Sequence, residues 1–398
     1  MTEPSTRPVV RLRPKAEARA IRHGFPWVYA DELVTDRRTQ AIAPGTIATL
    51  EDAERRPLAT VTVNPKSKII ARVLDRDAAA EIDRSWIAAR IARAAELRAR
   101  LFDAPFYRLV HAEADGLPGV IIDRFGDVAV VQPNAAWSEA MIGDIAAVLN
   151  GMGIETVVKN GSGRARGLEG LAEETVVLCG AVPGPIAVPM NGAVYMADVV
   201  GGQKTGLFFD QRPNHAFAAR LAQGARVLDL FSHVGGFALA ALAGGAERAL
   251  AVDASAAALE LARQGAAAMG AEARFETRQG DAFATLEALA AEGAQFDLVI
   301  CDPPAFAPSR QALEAGLRAY ERVARLAAPL VAPGGYIGLC SCSHAADLVQ
   351  FRAASARGLG RGGRRSQLLH TGYAGPDHPM LPQLAETAYL KALFFRLD

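Results

Sequence analysis

Arg226-Val-Leu-Asp-Leu-Phe-Ser-His-Val-Gly-Gly-Phe237 is the stretch whose reading decides the fold. Val227 to Leu230 is an apolar run broken by one acid, and a short loop ending in Gly235-Gly236 follows. Phe237-Ala-Leu-Ala-Ala-Leu-Ala243 is strong helix-forming sequence. Strand, glycine turn and helix, in that order, bring backbone N–H groups and a helix N-terminus to the carboxyl end of a strand. Open α/β sheets bind nucleotides there. An ordinary βαβ turn would look the same, so the loop alone names no function.

The next strand, Arg248-Ala-Leu-Ala-Val-Asp253, ends in an acid 24 residues after Asp229. An acid at that place accepts hydrogen bonds from both hydroxyls of a ribose. The string G-x-G-x-x-G, which lets a pyrophosphate lie on bare backbone, is absent from this loop, and so is the Walker lysine. Asp229 suits an ammonium better than a phosphate. The loop therefore points to a nucleoside carrying an amino acid, as in S-adenosylmethionine.

Outward from the loop the pattern is regular. Strands are expected at 226–231, 248–253, 272–277, 296–301 and 335–341, with helices at 237–244, 255–268, 283–292 and 311–328. That alternation predicts an α/β domain, a parallel sheet with helices on both faces. Asp281, in Arg278-Gln-Gly-Asp-Ala-Phe283, is placed to reach an adenine amine, and Asp302 follows the fourth strand. Asp229, Asp253, Asp281 and Asp302 thus fall on one rim, each at its own strand end. Just upstream, Lys204, Asp210, Gln211 and Arg212 lie beside Phe208 and Phe209 as a lid or wall of that site, or else as a solvated hinge.

Two further strand ends choose the reaction: Asp302-Pro-Pro-Ala-Phe306 and Leu339-Cys-Ser-Cys-Ser-His344. Two prolines stiffen the backbone and free its carbonyls, so that carbonyls, acid and Phe306 can grip a planar base. Cys342 puts a thiol on the same rim. Pyrimidine C5 is a poor nucleophile until a thiolate adds at C6. That thiol needs a lowered pKa or a proton acceptor. Cys340, Cys342 and His344 would make half a metal site, but no second cluster completes it, so no metal is expected. Strand alternation would point Cys340 the same way as Cys342, leaving it a neighbour, a resolving thiol or the nucleophile itself. Cys301 and Cys179 read as small core residues.

The remainder is less specific. Lys plus Arg (43) cancels Asp plus Glu (43), so a polyanion must be met by a local patch. Four cysteines in 398 residues form no disulfide framework and suggest a reducing, cytoplasmic setting. No signal-peptide core and no membrane-spanning run is read. Residues 8 to 75 look β-rich, with Arg19, Arg22, Trp27 and Tyr29 able to hold phosphates and stack bases, unless the aromatics are core. An amphipathic helix over 80–102, with Leu97 and Leu101 on its apolar stripe, leads into an α+β block. Residues 352–365 hold five arginines and no acid, a candidate flexible loop for RNA phosphates. A final antiparallel strand is expected from Tyr389 to Leu397.

These residues carry a resemblance. The chain resembles the bacterial large-subunit ribosomal RNA cytosine-5 methyltransferases that carry an N-terminal PUA domain. The matching segments are Trp27 with its basic lead-in, Asp115-Gly-Leu-Pro-Gly119, Lys204-Thr-Gly-Leu-Phe-Phe-Asp-Gln-Arg212, Phe231-Ser-His-Val-Gly-Gly-Phe237, Asp302-Pro-Pro-Ala-Phe306, Ser341-Cys-Ser343 and Asp377-His-Pro379 with Glu386-Thr-Ala-Tyr-Leu-Lys391. The resemblance implies a small β-rich PUA-like RNA-binding domain at 1–75 and an α+β middle domain at 76–200. A class I, Rossmann-like methyltransferase domain would fill 201–398. It also implies Cys342 as nucleophile, aided by Asp302. The expected cofactor set is Gln211, Arg212, Asp229, Phe231, Ser232, Gly235, Gly236, Phe237, Asp253, Asp281, Ala282 and Asp302. Arg19, Arg22, Trp27 and Phe306 would meet RNA. The implied partner is large-subunit ribosomal RNA, with a homodimer as a further candidate. His233 departs from the family's common tyrosine, and Ala305 stands where two-cysteine relatives keep a second thiol. Base-nitrogen methylation of guanine and a non-catalytic RNA-binding factor remain the alternatives.

Overall fold

The computed structural model describes residues 7–202 and 205–398, so the expectation on Lys204 lies outside the described residues. The chain divides into two compact units. One comprises Met1–Pro183, Val199–Thr205 and Pro376–Thr387; the other comprises Gly184–Asp198, Gly206–Gly375 and Ala388–Asp398. Most of the 76–200 segment thus lies with the N-terminal module, and Gly184–Asp198 with the second unit.

In the first unit, β1 (Val9–Arg11), α1 (Ala18–Arg22), β2 (Trp27–Tyr29), α2 (Arg37–Gln40), β3 (Thr46–Glu51), β4 (Pro57–Val63) and β5 (Ile69–Asp75) build a five-stranded sheet in the order β1-β3-β4-β5-β2. β-Branched and aliphatic residues such as Val10, Val28, Leu50, Val61 and Ile70 fill its core. Helix α3 (Arg84–Leu101) follows, capped by Asp83, whose carboxylate accepts from Trp86 N. A second sheet contains β6 (Phe106–His111), β7 (Val120–Phe125), β8 (Val128–Pro133), β9 (Thr156–Asn160) and β10 (Thr175–Cys179), in the order β10-β9-β8-β7-β6. Helices α4 (Ala136–Ala140), α5 (Ile142–Gly151) and α6 (Arg164–Glu169) sit in its connections. Cys179, expected in the core, ends an edge strand and is only half-buried, with Sγ on Asn150 Oδ1 at 3.4 Å.

The apolar stripe expected on α3 is corrected at its end. Leu97 and Leu101 are 42% and 44% exposed, whereas Arg98 is fully buried. Its two terminal nitrogens each donate to the Asp115 carboxylate at 2.7 Å, and one also reaches Asp377 O at 2.9 Å. A planar guanidinium matched in this bidentate way tolerates burial that a lone charge does not.

The second unit opens with a hairpin, β11 (Ile186–Met190) and β12 (Ala193–Ala197), turning at Asn191 (φ 55°) and Gly192 (φ 74°). Helix α7 (Arg212–Arg220) leads into β13 (Arg226–Leu230), α8 (Gly236–Ala243), β14 (Arg248–Asp253), α9 (Ala256–Ala268), β15 (Phe275–Gln279), α10 (Ala282–Ala291), β16 (Phe296–Cys301), α11 (Leu313–Ala327) and β17 (Val331–Ser341). Then come α12 (Leu348–Arg361), β18 (Ser366–Gly372) and β19 (Lys391–Leu397). The sheet order is β15-β14-β13-β16-β17-β19-β18; the first five strands are parallel, and β19 is antiparallel to both its neighbours. The chain reverses its direction of travel across the sheet between β13 and β16. Such a switch point opens a crevice at the strand ends.

The flexible basic loop expected at 352–365 is instead mostly helix. Asp347 and Gln350 form a capping box, and Phe351, Ala354, Ser355 and Leu359 turn inward. Arg357 and Arg361 both pair with Glu321, and Arg364 donates to the carbonyls of Ala328, Val331, Ala332 and Asp398. Three of the five arginines are therefore structural. Among the described residues, no helix is long and apolar enough to cross a membrane.

Candidate active site

Asp229 lies inside β13 and is fully buried. Its Oδ2 accepts from Ala238 N at 2.9 Å, at the start of α8, while Oδ1 has no hydrogen-bond partner. Burial pushes its carboxyl up to about 8, and Asp302 and Asp253 push the same way against the backbone donors. After β13 the chain passes through left-handed backbone at Phe231 (φ 61°), His233 (φ 50°) and Gly235 (φ 81°). Two non-glycine residues in that region are costly, and such strain concentrates at binding loops. The loop is pinned by Asp253, whose Oδ2 accepts from His233 N and Oδ1 from Ser255 N, each at 2.8 Å. Ser232 is buried, and its Oγ lacks a partner.

Beneath the loop lies His215, its ring 6.0 Å from Tyr195 and 4.5 Å from Phe237. Burial drives its pKa down to about 3, so it is neutral. A Cβ on Gly236 would meet His215 Nε2 at 2.8 Å, so the helix can start this close only with glycine. Phe237 and Ala282 are buried, while Asp281 is exposed and caps α10 through Ala284 N at 2.9 Å.

Gln211 joins the wall to the rim. Its Nε2 donates to Asp302 Oδ2 at 2.9 Å, and its Oε1 accepts from Asn214 Nδ2 at 2.7 Å. Nearby, Tyr389 OH donates to Asp210 Oδ2 at 2.6 Å, and the Arg212 guanidinium lies 5.5 Å from the Phe209 ring centre. Asp229, Asp253, Asp281 and Asp302 sit in or just after β13, β14, β15 and β16, four adjacent parallel strands.

The two loops read as chemical are joined by hydrogen bonds. Ser343 Oγ accepts from Ala307 N at 3.0 Å and lies 2.7 Å from Tyr320 OH; Ser341 Oγ donates to the same phenol at 2.9 Å. Phe306 is half-buried, with ring centres of Tyr320, Phe283 and Phe231 at 5.0, 6.2 and 6.4 Å. Cys342, half-buried, lies just beyond the last residue of β17. Strict alternation need not extend past the strand end. Cys340 is 1% exposed; burial pushes its thiol well up, and Asp302 adds to this. Burial raises the Cys301 thiol likewise. A cysteine so placed is a poor nucleophile.

Tyr320, Asn214 and His215 were missed in the sequence, and Ser341, Ser343 and Lys391 were read only as parts of matching segments, with no role of their own. Only Lys391 left a local signal, a lone lysine opening the apolar run Lys391-Ala-Leu-Phe-Phe395. In the first unit, Arg19 is exposed and Arg22 pairs with Asp52 at 2.8 Å. Trp27 is half-buried, donating from Nε1 to Glu113 Oε1 at 2.8 Å with the Arg72 guanidinium 5.7 Å from its ring centre. Among the described residues, no group of three or more His, Cys, Asp or Glu could hold a metal ion.

Comparison with known proteins matches residues 178–396 to an S-adenosylmethionine-dependent methyltransferase family and residues 10–76 to a PUA-like domain. The chain belongs to the S-adenosylmethionine-dependent methyltransferases. It is 36% identical over 414 positions to a ribosomal RNA large subunit methyltransferase of Deinococcus radiodurans, covering 99% of each chain. It is 33% identical to ribosomal RNA large subunit methyltransferase I of Shewanella denitrificans, covering 98% of this chain and 99% of that one. A Streptococcus mutans structure described as a SAM-dependent methyltransferase superposes with a TM-score of 0.81 at 18% identity, covering 98% of this chain and 100% of that one. SMU.776, complexed with SAH, gives 0.82 at 19%, covering 98% and 99%. The fold is thus the class I, Rossmann-like α/β domain with a β-rich PUA-like module.

S-adenosylmethionine is the methyl donor of this methyltransferase. The chain's own geometry suits it. Asp229 Oδ1 and Ser232 Oγ are buried polar atoms without partners, in and beside the loop that Gly236 lets pack against His215. An ammonium and hydroxyls would supply what those atoms lack.

Proposed function

We propose that this methyltransferase modifies C5 of a cytosine in large-subunit ribosomal RNA, with Cys342 as nucleophile. The carrying observation is the Ser341-Cys342-Ser343 turn: its serines bind Tyr320 and Ala307, the residue after Asp302-Pro-Pro-Ala-Phe306, and its half-buried thiol is the accessible one of the pair Cys340 and Cys342. The names of its relatives motivate the substrate, and ribosomal RNA as partner implies action in the cytoplasm.

In this reading Gln211, Arg212, Asp229, Phe231, Ser232, Gly235, Gly236, Phe237, Asp253, Asp281, Ala282 and Asp302 form the donor site. Asp253 accepts the ribose hydroxyls and Asp281 the adenine amine. When bound, the donor supplies an electrophilic methyl on a sulfonium. Asp302 accepts from the cytosine amine, and Phe306 faces the base. The Cys342 thiolate adds to C6, and the displaced π electrons make C5 nucleophilic. C5 takes the methyl, and the sulfonium's C–S electrons stay on sulfur. Loss of the C5 proton to a base then expels the thiolate and restores the ring. Arg19 and Arg22 hold phosphates; Trp27, engaged by Glu113 and Arg72, borders them.

RNA carrying 5-fluorocytidine lacks the C5 proton, so the adduct accumulates. A covalent band with wild type and none with Cys342→Ala is expected. Equal adduct in both, or label on a purine with full activity in Cys342→Ser, removes this mechanism.

A further inference from the structure

Lys391 is the unexplained charge nearest the chemistry in sequence register. It opens β19 and pairs across the sheet with Ser341, the residue before Cys342. It is only 4% exposed. A buried ammonium must find partners or lose its proton. Its Nζ donates to Ser343 O at 2.7 Å and to Ala346 O at 2.8 Å. Those two carbonyls belong to the turn that follows the thiol. Two of its three protons are thereby committed, and the third remains to serve another acceptor.

We propose that Lys391 is the positioning residue of Cys342: its ammonium clamps the turn that carries the thiol and favours the thiolate over the thiol. This rests on Cys342 being the nucleophile.

Electrostatics support the geometry. Burial pushes Lys391 down to about 8, while negative charge on Cys342 and on Asp347 pulls it back up. Coulombic attraction is mutual, so the ammonium returns to the thiolate the same stabilisation it receives. Tyr320 and Asp347 also lie within electrostatic reach of this turn. Burial raises the Tyr320 phenol, as does negative charge on Cys342, and Asp347 is an acid. Two residues away, Cys340 faces the opposite influence from Asp302. Lys391 thereby explains why one of two neighbouring thiols is the reactive one. The atoms balance simply: the thiol proton leaves to solvent or to neutral Lys391, and sulfur keeps the electron pair.

The test measures alkylation of Cys342 by iodoacetamide against pH, read peptide by peptide in the full-length protein without RNA. In Lys391→Met the midpoint is expected to move up by about one pH unit or more. Lys391→Arg, which keeps the charge, is expected to retain most of the wild-type midpoint. An unchanged midpoint in folded Lys391→Met overturns the proposal. Should that variant not fold, the reciprocal titration decides: the Lys391 ε-methylene signal is followed by NMR in wild type and Cys342→Ala. Its midpoint falls in the variant if the two groups are coupled; an identical midpoint rejects the coupling. A midpoint that responds to Lys391 without any 5-fluorocytidine adduct sinks cytosine methylation alone. An adduct with an unresponsive midpoint sinks the role of Lys391 alone.

Discussion

Ser343 Oγ and Tyr320 OH lie 2.7 Å apart, and through this contact the turn bearing Cys342 and the loop after β16 share one anchor. The phenol also receives Ser341 Oγ at 2.9 Å and Phe306 N at 3.4 Å. In Tyr320→Phe three groups lose that partner in a buried place. A destabilisation of about 1–3 kcal/mol is expected by thermal melting. Methyl transfer should fall by roughly tenfold to hundredfold with donor affinity unchanged. Parallel losses in both would mean that the donor site had collapsed instead.

Asp229 gives a pH dependence of known sign. With its pKa raised to about 8, the carboxyl carries a proton at pH 7 before a ligand arrives. A cationic group beside it favours the ionised form, so donor binding expels a proton. Affinity should therefore tighten as pH rises toward 8 and level off above it. Calorimetry in buffers of different ionisation enthalpy reads that proton directly. Asp229→Asn should bind more weakly and without the slope; a wild-type slope in the variant assigns the proton elsewhere.

Gly236 tests the loop by bulk alone. A methyl there meets His215, which is packed between Tyr195 and Phe237. Gly236→Ala should cost about 1–3 kcal/mol and weaken S-adenosylmethionine binding by about an order of magnitude. Restored affinity in Gly236→Ala combined with His215→Ala would assign the defect to that clash.

Asp115 supports the first unit. It answers both terminal nitrogens of Arg98, which is fully buried. Asp115→Ala leaves that charge uncompensated and should destabilise the unit by about 3–5 kcal/mol. Asp115→Ala with Arg98→Met should recover much of the loss. Hydrogen exchange across α3 and β6 distinguishes the two outcomes.

Local patterns were readable and distant partnerships were not. The strand–loop–helix at 226–237 and the acids at 253, 281 and 302 announce themselves because strand ends and glycine turns are short-range events. Asn191-Gly192 between apolar runs was an equally local hairpin signal and was passed over. By its charge the segment 352–365 reads as a loop, whereas the inward spacing of Phe351, Ala354 and Leu359 makes most of it helix. Tyr320 to Ser343, Arg98 to Asp377 and Lys391 to Ala346 are contacts across 23, 279 and 45 residues. No periodicity encodes such pairs; they exist only once the sheets have closed.

Synthesis order adds a consequence to the sheet order. β19 comes after β18 in the chain yet lies between β17 and β18. As the polypeptide leaves the ribosome, β18 has no strand to bind, and the turn of Cys342 has no lysine beneath it. Both wait for the same last strand. A nascent chain stalled before Lys391 would lack the one strand that joins β18 to the rest of the sheet, so both ends of this region close late and together.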